Sequence, residues 1–191
     1  MAILSLLEVT HLASGFAETC RFIESLRLRN PQARHIQYPK IPESLSESIT
    51  VHSMKKGIVL KDFGPFSNIR LGRKRKGKKG CKEADIIATT VGGRVLNIEV
   101  KASGKNDFAT FGKDDYQADV LLWLRFDQSL FRNELGDIQI LVCPKPIDNL
   151  PWDPGEKQRV NARQLIRDWK GDPKKSLQQS MSLHSLISVG A

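Results

Sequence analysis

Two acidic residues and one lysine are spaced so that they could act together on a phosphodiester bond. Glu99 and Lys101 stand two positions apart in the β-rich run VLNIEVKA, so both side chains project from one face of a strand. Asp85 immediately precedes a second such run, IIATT. Oxygen ligands suit Mg²⁺, which binds through one or two carboxylates plus a substrate phosphate. We expect Asp85 and Glu99 to hold Mg²⁺, with Mn²⁺ able to substitute, and Lys101 to orient the attacking water or offset charge on the phosphate.

A hairpin must bring these residues together, because the two runs flank Gly92 and Gly93. A three-residue loop, 91–93, would set Asp85 opposite Glu99 and would require Gly93 in the left-handed conformation. A two-residue loop would send Asp85 to the other face. The catalytic interpretation therefore requires the three-residue loop. The competing interpretation is a structural hairpin with an incidental pair, since Glu-x-Lys on a surface strand is usually solvated.

A dense basic segment lies directly before the hairpin. The chain has 30 basic and 21 acidic residues, a net charge of +9, and residues 70–82 hold eight basic residues and no acidic one. Outside this segment the two signs nearly balance, at 22 against 21. Such a segment predicts contact with a polyanion, and the alternative is a solvated, flexible loop. The eight predicted nucleic-acid-binding residues are Arg70, Arg73, Lys74, Arg75, Lys76, Lys78, Lys79 and Lys82.

The spacing Asp-x13-Glu-x-Lys from Asp85 to Lys101 resembles the signature of the PD-(D/E)xK nuclease superfamily, which includes restriction endonucleases and Holliday junction resolvases. Ala84 stands where that signature has its proline. The resemblance covers about residues 80–117. It implies that the Val100 carbonyl also faces the metal and that an acidic residue of the first helix joins it. Glu18 is preferred for that role over Glu24, and Gln117 resembles an accessory glutamine of resolvase-like members.

The predicted fold class is α/β, with a restriction endonuclease-like mixed central sheet flanked by helices. We expect a single nuclease domain over residues 1–191, with a core at about 14–145 and a helical C-terminal extension at about 156–191. Helices are predicted at 14–29, 43–52 and 156–170, and strands at 57–63, 84–90, 94–102, 118–126 and 138–144.

Composition limits the other possibilities. Three distant cysteines and four scattered histidines give neither a disulfide framework nor a structural zinc motif, and fit a reducing compartment. The sequence has no run that reads as a signal peptide or membrane span, so we expect a cytoplasmic protein with DNA as its partner.

The leading functional hypothesis is a Mg²⁺-dependent endodeoxyribonuclease, restriction endonuclease-like. A structure-selective junction resolvase or repair nuclease is the second hypothesis, and a catalytically inactive DNA-binding module is the third. Cutting both strands with one site per chain would favour a homodimer.

The basic segment generates the first testable prediction. Replacing Arg73, Lys74, Arg75, Lys76, Lys78 and Lys79 by Gln should weaken DNA binding on any sequence. Each phosphate that is no longer neutralised should lower the slope of log affinity against log salt by about 0.9 on duplex DNA. Lys101→Ala should bind nearly normally and fail to cut. A salt titration of binding beside single-turnover cleavage measures both, and an unchanged slope in the Gln variant would make the segment a solvated connector.

Overall fold

A computed structural model describes residues 2–72, 83–104, 108–112, 115, 117–126, 137–153, 156–171, 178–183 and 186, without the side chains of 178–180. The helices are α1 (Leu6–Arg29), α2 (Glu43–Lys55), α3 (Pro146–Asn149) and α4 (Ala162–Asp168), with short 3-10 turns at Pro31–His35 and Lys61–Phe63. The strands are β1 (Phe66–Leu71), β2 (Ile86–Thr90), β3 (Val95–Ser103), β4 (Phe108–Phe111), β5 (Val120–Phe126), β6 (Asp137–Pro144), β7 (Gln158–Asn161) and β8 (Gln178–Ser182).

The fold is α/β, built on a mixed sheet of six strands in the order β1-β2-β3-β5-β6-β8. The β3 and β5 strands run parallel, and every other neighbouring pair is antiparallel. A separate two-stranded antiparallel sheet joins β4 to β7. Within the described ranges, no helix has the length and apolar character needed to cross a membrane.

The first hydrophobic core lies between one face of the six-stranded sheet and the helices α1 and α2. The helices contribute residues such as Phe16 and Ile49, and β3 contributes Leu96, Ile98 and Val100. The α1 helix begins eight residues before the predicted start, because Ser5 and Glu8 form a reciprocal capping box. It ends at Arg29, before the Asn30-Pro31 pair, as predicted.

A second, smaller core covers the opposite face of the sheet. It contains Leu121 and Trp123 of β5, together with residues of β4, β6, β7 and α4. The Trp123 ring is fully buried, and its Nε1–H donates to the Ser103 Oγ at 2.8 Å. Because both faces of β5 are covered, its sequence is a continuous apolar run instead of an alternating one. The predicted strands at 118–126 and 138–144 are confirmed as β5 and β6.

Several elements differ from the sequence predictions. The region 57–63 is a turn followed by a 3-10 helix, and the first strand is Phe66–Leu71. The helix predicted at 156–170 is divided into the strand β7 and the shorter helix α4. The tail, predicted to be helical, contributes β8 to the edge of the main sheet beside β6. The polar composition of Gln178–Ser182 hides this strand, because Met181, which packs in the first core, is its only apolar residue.

Cysteines occupy the interior in the part of the chain that the structure describes. Cys20 lies in the first core and Cys143 in the second, and neither forms a disulfide. Burial raises the pKa of the Cys143 thiol to about 12, so it remains protonated and unreactive near neutral pH. Cys81 lies outside the described residues.

The β2–β3 hairpin has the predicted three-residue loop. The Thr90 N–H donates to the Arg94 carbonyl at 2.9 Å, and the register continues to Ile86 opposite Ile98. One further step along the register sets Asp85 at the level of Glu99. Gly93 adopts a φ of 81°, the left-handed conformation that the loop needs.

Gly93→Ala should therefore destabilise the protein by about 1–2 kcal/mol, because a side chain at positive φ meets its own backbone. The neighbouring Gly92→Ala is a matched control, since an added Cβ there would meet only the Thr90 Oγ1 at 3.9 Å and the φ is not positive. Urea denaturation of the two variants measures the difference. Equal stabilities would contradict the assigned loop conformation.

Candidate active site

The site begins where β2 stops pairing with β3. Hydrogen-bonded pairs alternate along an antiparallel ladder, and the Thr90–Arg94 pair implies that the next acceptor for the Val100 N–H would be the Ala84 carbonyl. Instead, the Val100 N–H donates to the Asp85 Oδ2 at 3.1 Å. The Asp85 carboxylate thus takes the place of a backbone acceptor and is fixed beside β3.

The second half of β3 borders a cavity. A residue in a strand directs its N–H and C=O to the same side, so the Val100 carbonyl points to the side on which Asp85 lies. Among the described strands, none continues alongside β3 there beyond Asp85. A cavity of about 890 Å³ opens at this place, between α2 on one side and β4 and β7 on the other, and its lining includes Asp85, Val100 and Lys101.

Glu99 shares a face of β3 with Lys101, as the alternation of the strand predicts. Its side chain is only 2% exposed and takes part in interactions within the fold. The cavity lining does not include Glu99. The structure therefore brings Asp85 and Lys101 to one cavity. It keeps Glu99, two residues before Lys101 on β3, in the protein interior.

Lys101 is held by an acidic residue that the sequence does not single out. The Lys101 Nζ lies 2.7 Å from the Asp115 Oδ1, and Asp115 is 5% exposed. The Gly112 N–H donates to the Asp115 Oδ2 at 2.6 Å. One carboxylate thus connects the ammonium to a backbone amide, which restricts where the ammonium can lie. Asp115 lies in the polar stretch between β4 and β5, and nothing in its sequence neighbourhood marks it as a partner of Lys101.

The α2 helix, not α1, supplies acidic residues to the cavity. Glu43, Ser46 and Glu47 occupy one stripe of α2 at i, i+3 and i+4 spacing, and all three line the cavity. Glu47 is 3% exposed and takes part in interactions within the fold. The predicted Glu18 is exposed on α1 and does not line the cavity. Two glutamates on one stripe of α2, the last α-helix before the first strand, are the signal that could have identified Glu47.

Two further predicted positions lie away from the cavity lining. Gln117 is exposed shortly before β5. Glu24 accepts a hydrogen bond from the Tyr38 hydroxyl, which anchors the segment that leads into α2.

Arg70 is the one described member of the predicted basic set. It lies in β1, and its guanidinium forms an exposed ion pair with Glu83 at 2.9 Å. This hydrogen bond raises the pKa of Arg70 above its usual value. Arg70 therefore has a protein partner, whereas Arg73, Lys74, Arg75, Lys76, Lys78, Lys79 and Lys82 lie outside the described residues.

The donor atoms around the cavity fit Mg²⁺ by their chemistry. They are carboxylates of Asp85, Glu43 and Glu47 together with backbone carbonyls, and the described lining residues include no histidine or cysteine. Among the described residues, no three His, Cys, Asp or Glu side chains are already clustered as a metal site. Mg²⁺ uses only one or two protein carboxylates and retains several waters, so the number of carboxylates in the lining matches its usual demand.

No protein-family model matches the chain, and neither the curated proteins nor the solved structures contain a match to it.

Metal-dependent thermal stability tests the composition of the site. Millimolar Mg²⁺ should raise the melting temperature, because a ligand that binds only the folded state contributes about 2.7 kcal/mol at a hundred times its dissociation constant. Asp85→Asn and Glu47→Gln should reduce or remove this shift. Glu18→Gln, an exposed control of the same chemistry, should retain it. A shift abolished by Glu18→Gln and kept with Glu47→Gln would reverse the assignment of the helix ligand.

Proposed function

We propose that this chain is a Mg²⁺-dependent endodeoxyribonuclease that hydrolyses phosphodiester bonds in DNA. The observation that carries the proposal is the hairpin register, which fixes Asp85 beside Val100 and opens a cavity shared by Asp85 and Lys101. A purely structural hairpin would not require a carboxylate in place of the backbone carbonyl that normally accepts the hydrogen bond between two strands. It would also not require a lysine held at the wall of a cavity. These features accompany the Asp-x13-Glu-x-Lys spacing that resembles PD-(D/E)xK nucleases.

Asp85, Glu99 and the Val100 carbonyl are the proposed ligands, and Glu47 takes the helix position that the sequence assigns to Glu18. When bound, Mg²⁺ supplies a Lewis acid that polarises the scissile phosphate and acidifies a water molecule. Glu99 must turn from the interior toward the cavity to serve as a ligand. Its place at the level of Asp85 in the hairpin register makes this a side-chain movement without a change of strand pairing.

Lys101 is the proposed catalytic cation. Its ammonium directs the attacking water and offsets the negative charge that grows on the phosphate oxygens. The water oxygen forms a bond to phosphorus, the bond from phosphorus to the 3′ oxygen breaks, and the water gives up a proton. The departing 3′ oxygen gains a proton, which leaves a 5′-phosphate and a 3′-hydroxyl. Asp115 is a positioning residue in this scheme, because it touches Lys101 and not the reacting atoms.

Charge supports DNA as the substrate. The net charge is +9, and Lys40 and Arg159 line the cavity in addition to Lys101. These cations can contact phosphates on either side of the scissile bond, and the eight basic residues of the segment 70–82 add to the attraction of the chain for a polyanion. A homodimer would allow both strands of a duplex to be cut.

The restriction endonuclease-like fold is part of the same proposal. Its support is an α/β architecture in which a mixed sheet carries the candidate residues on one hairpin. Junction resolution or repair remains the second candidate activity. The Lys101–Asp115 ion pair and the interior position of Glu99 specifically favour testing a third, a DNA-binding module that does not cut.

Plasmid cleavage tests the activity directly. Supercoiled plasmid should be nicked or linearised with Mg²⁺ and remain intact with EDTA. Asp85→Asn, Glu99→Gln and Lys101→Met should each lower the single-turnover rate by at least about a hundredfold, because the first two variants lose a metal ligand and the third loses the cation that offsets charge on the phosphate. All three variants should remain folded by circular dichroism.

Glu18→Gln, purified in the same way, is the control for contaminating nucleases and should cut at the wild-type rate. End mapping should give 5′-phosphates, and comparison of a palindromic duplex with a four-way junction separates the first two activities. Wild-type cleavage by the Asp85 variant would refute the proposal. Mg²⁺-independent DNA binding without any cleavage would support the inactive module.

A further inference from the structure

The small β4–β7 sheet has two different faces. Phe108 pairs with Asn161 and Thr110 pairs with Arg159, so side chains alternate between the faces along each strand. One face sends Ala109, Phe111 and Val160 into the second core. The other face presents Phe108, Thr110 and Arg159 to the cavity that Asp85 and Lys101 line.

Phe108 is an aromatic residue in the lining of the cavity and lies outside both hydrophobic cores. Its side chain is 46% exposed. The Arg159 guanidinium lies 5.1 Å from the centroid of the Phe108 ring, within the range of a cation–π contact. A single exposed apolar residue is ordinary on a protein surface. This one differs because it forms a pair with an arginine and faces the candidate catalytic residues across one cavity.

An aromatic ring beside an arginine suits a particular ligand chemistry. A nucleobase stacks on an aromatic side chain only when the base is unpaired and its face is accessible. The guanidinium can neutralise the phosphate that follows such a base and can itself stack on a π face. The cavity of about 890 Å³ has the size of a small-ligand site, which takes a short piece of one strand. A base inside a continuous duplex is paired and stacked on its neighbours, so its face is not accessible to Phe108.

We propose that Phe108 and Arg159 form a subsite for an unpaired nucleotide next to the scissile phosphate. Phe108 stacks on the base, Arg159 binds the adjacent phosphate, and Lys40 lies in the lining contributed by the segment before α2. This inference rests on the proposed nuclease function and specifies its substrate. The preferred DNA contains unpaired nucleotides, as in a single strand, a gap or a flap.

Oligonucleotide binding tests the subsite separately from cleavage. The full chain is titrated, with Ca²⁺ in place of Mg²⁺, into a fluorescein-labelled single strand and into a hairpin duplex of the same composition. Phe108→Leu keeps apolar bulk and removes the π face, so it should weaken single-strand binding about tenfold. Duplex binding should change less than about twofold. Phe108→Trp should retain single-strand affinity, and Arg159→Gln should weaken it and lower its salt dependence.

Matched controls separate these effects from general removal of surface or charge. Phe22→Leu changes an aromatic residue that is 62% exposed on α1, and Arg94→Gln changes an exposed arginine of the hairpin loop region. Both should bind single strands as the wild type does. A single strand that carries 2-aminopurine adds a direct signature, because stacking on Phe108 quenches its fluorescence and Phe108→Leu should remove that quenching.

The outcomes distinguish the two proposals. Equal weakening of single-strand and duplex binding in Phe108→Leu, or no weakening of either, overturns the subsite even if the plasmid is cut. Selective weakening of single-strand binding, together with reduced quenching, supports the subsite, and it does so whether or not Mg²⁺-dependent cleavage is found. Cleavage that is faster on a gapped than on a continuous duplex, with the difference abolished by Phe108→Leu, supports both proposals.

Discussion

The hydrogen bond from the Val100 N–H to the Asp85 carboxylate is the interaction on which the candidate site depends. It ends the β2–β3 ladder and fixes a negative charge at the point where β3 continues without β2. The three-residue loop sets this end point, because a change of loop length would rotate every side chain of one strand to the opposite face. The register of a single hairpin therefore determines which residues meet at the cavity.

Local patterns predicted the elements that carry the chemistry. The glycine pair and the β-rich runs on either side predicted the hairpin, and the long apolar runs predicted β5 and β6. The catalytic interpretation, and not the local pattern, selected the three-residue loop over a two-residue loop. Sequence reasoning was wrong where the order of elements along the chain does not indicate which elements are neighbours in the fold. The α2 helix lies against the cavity although α1 comes first, so Glu47 lines it and Glu18 does not. Asp115 could not be identified, because its contact with Lys101 depends on tertiary structure alone.

The carboxylates in and around this region are costly to bury. Glu47, Glu99 and Asp115 are each almost fully inaccessible to solvent, and an interior charge must be compensated by partners. Lys101 compensates Asp115, and the Gly112 amide adds a hydrogen bond to the same group. The two hydrophobic cores on opposite faces of the sheet provide the stability that tolerates these groups. Buried polar and charged side chains are expected mainly where a protein binds a ligand or catalyses a reaction.

The pairing of β8 with β6 covers what would otherwise be an edge of the main sheet. Most residues of β6 are buried, and β8 occupies the backbone donors and acceptors on its outer side. Removal of Gln178–Ser182 would leave a long apolar edge strand with an open row of amides and carbonyls, the kind of template on which strands of other molecules add. A short polar strand near the end of the chain thus protects the protein from self-association into extended sheets, although no apolar pattern in its sequence indicates that role.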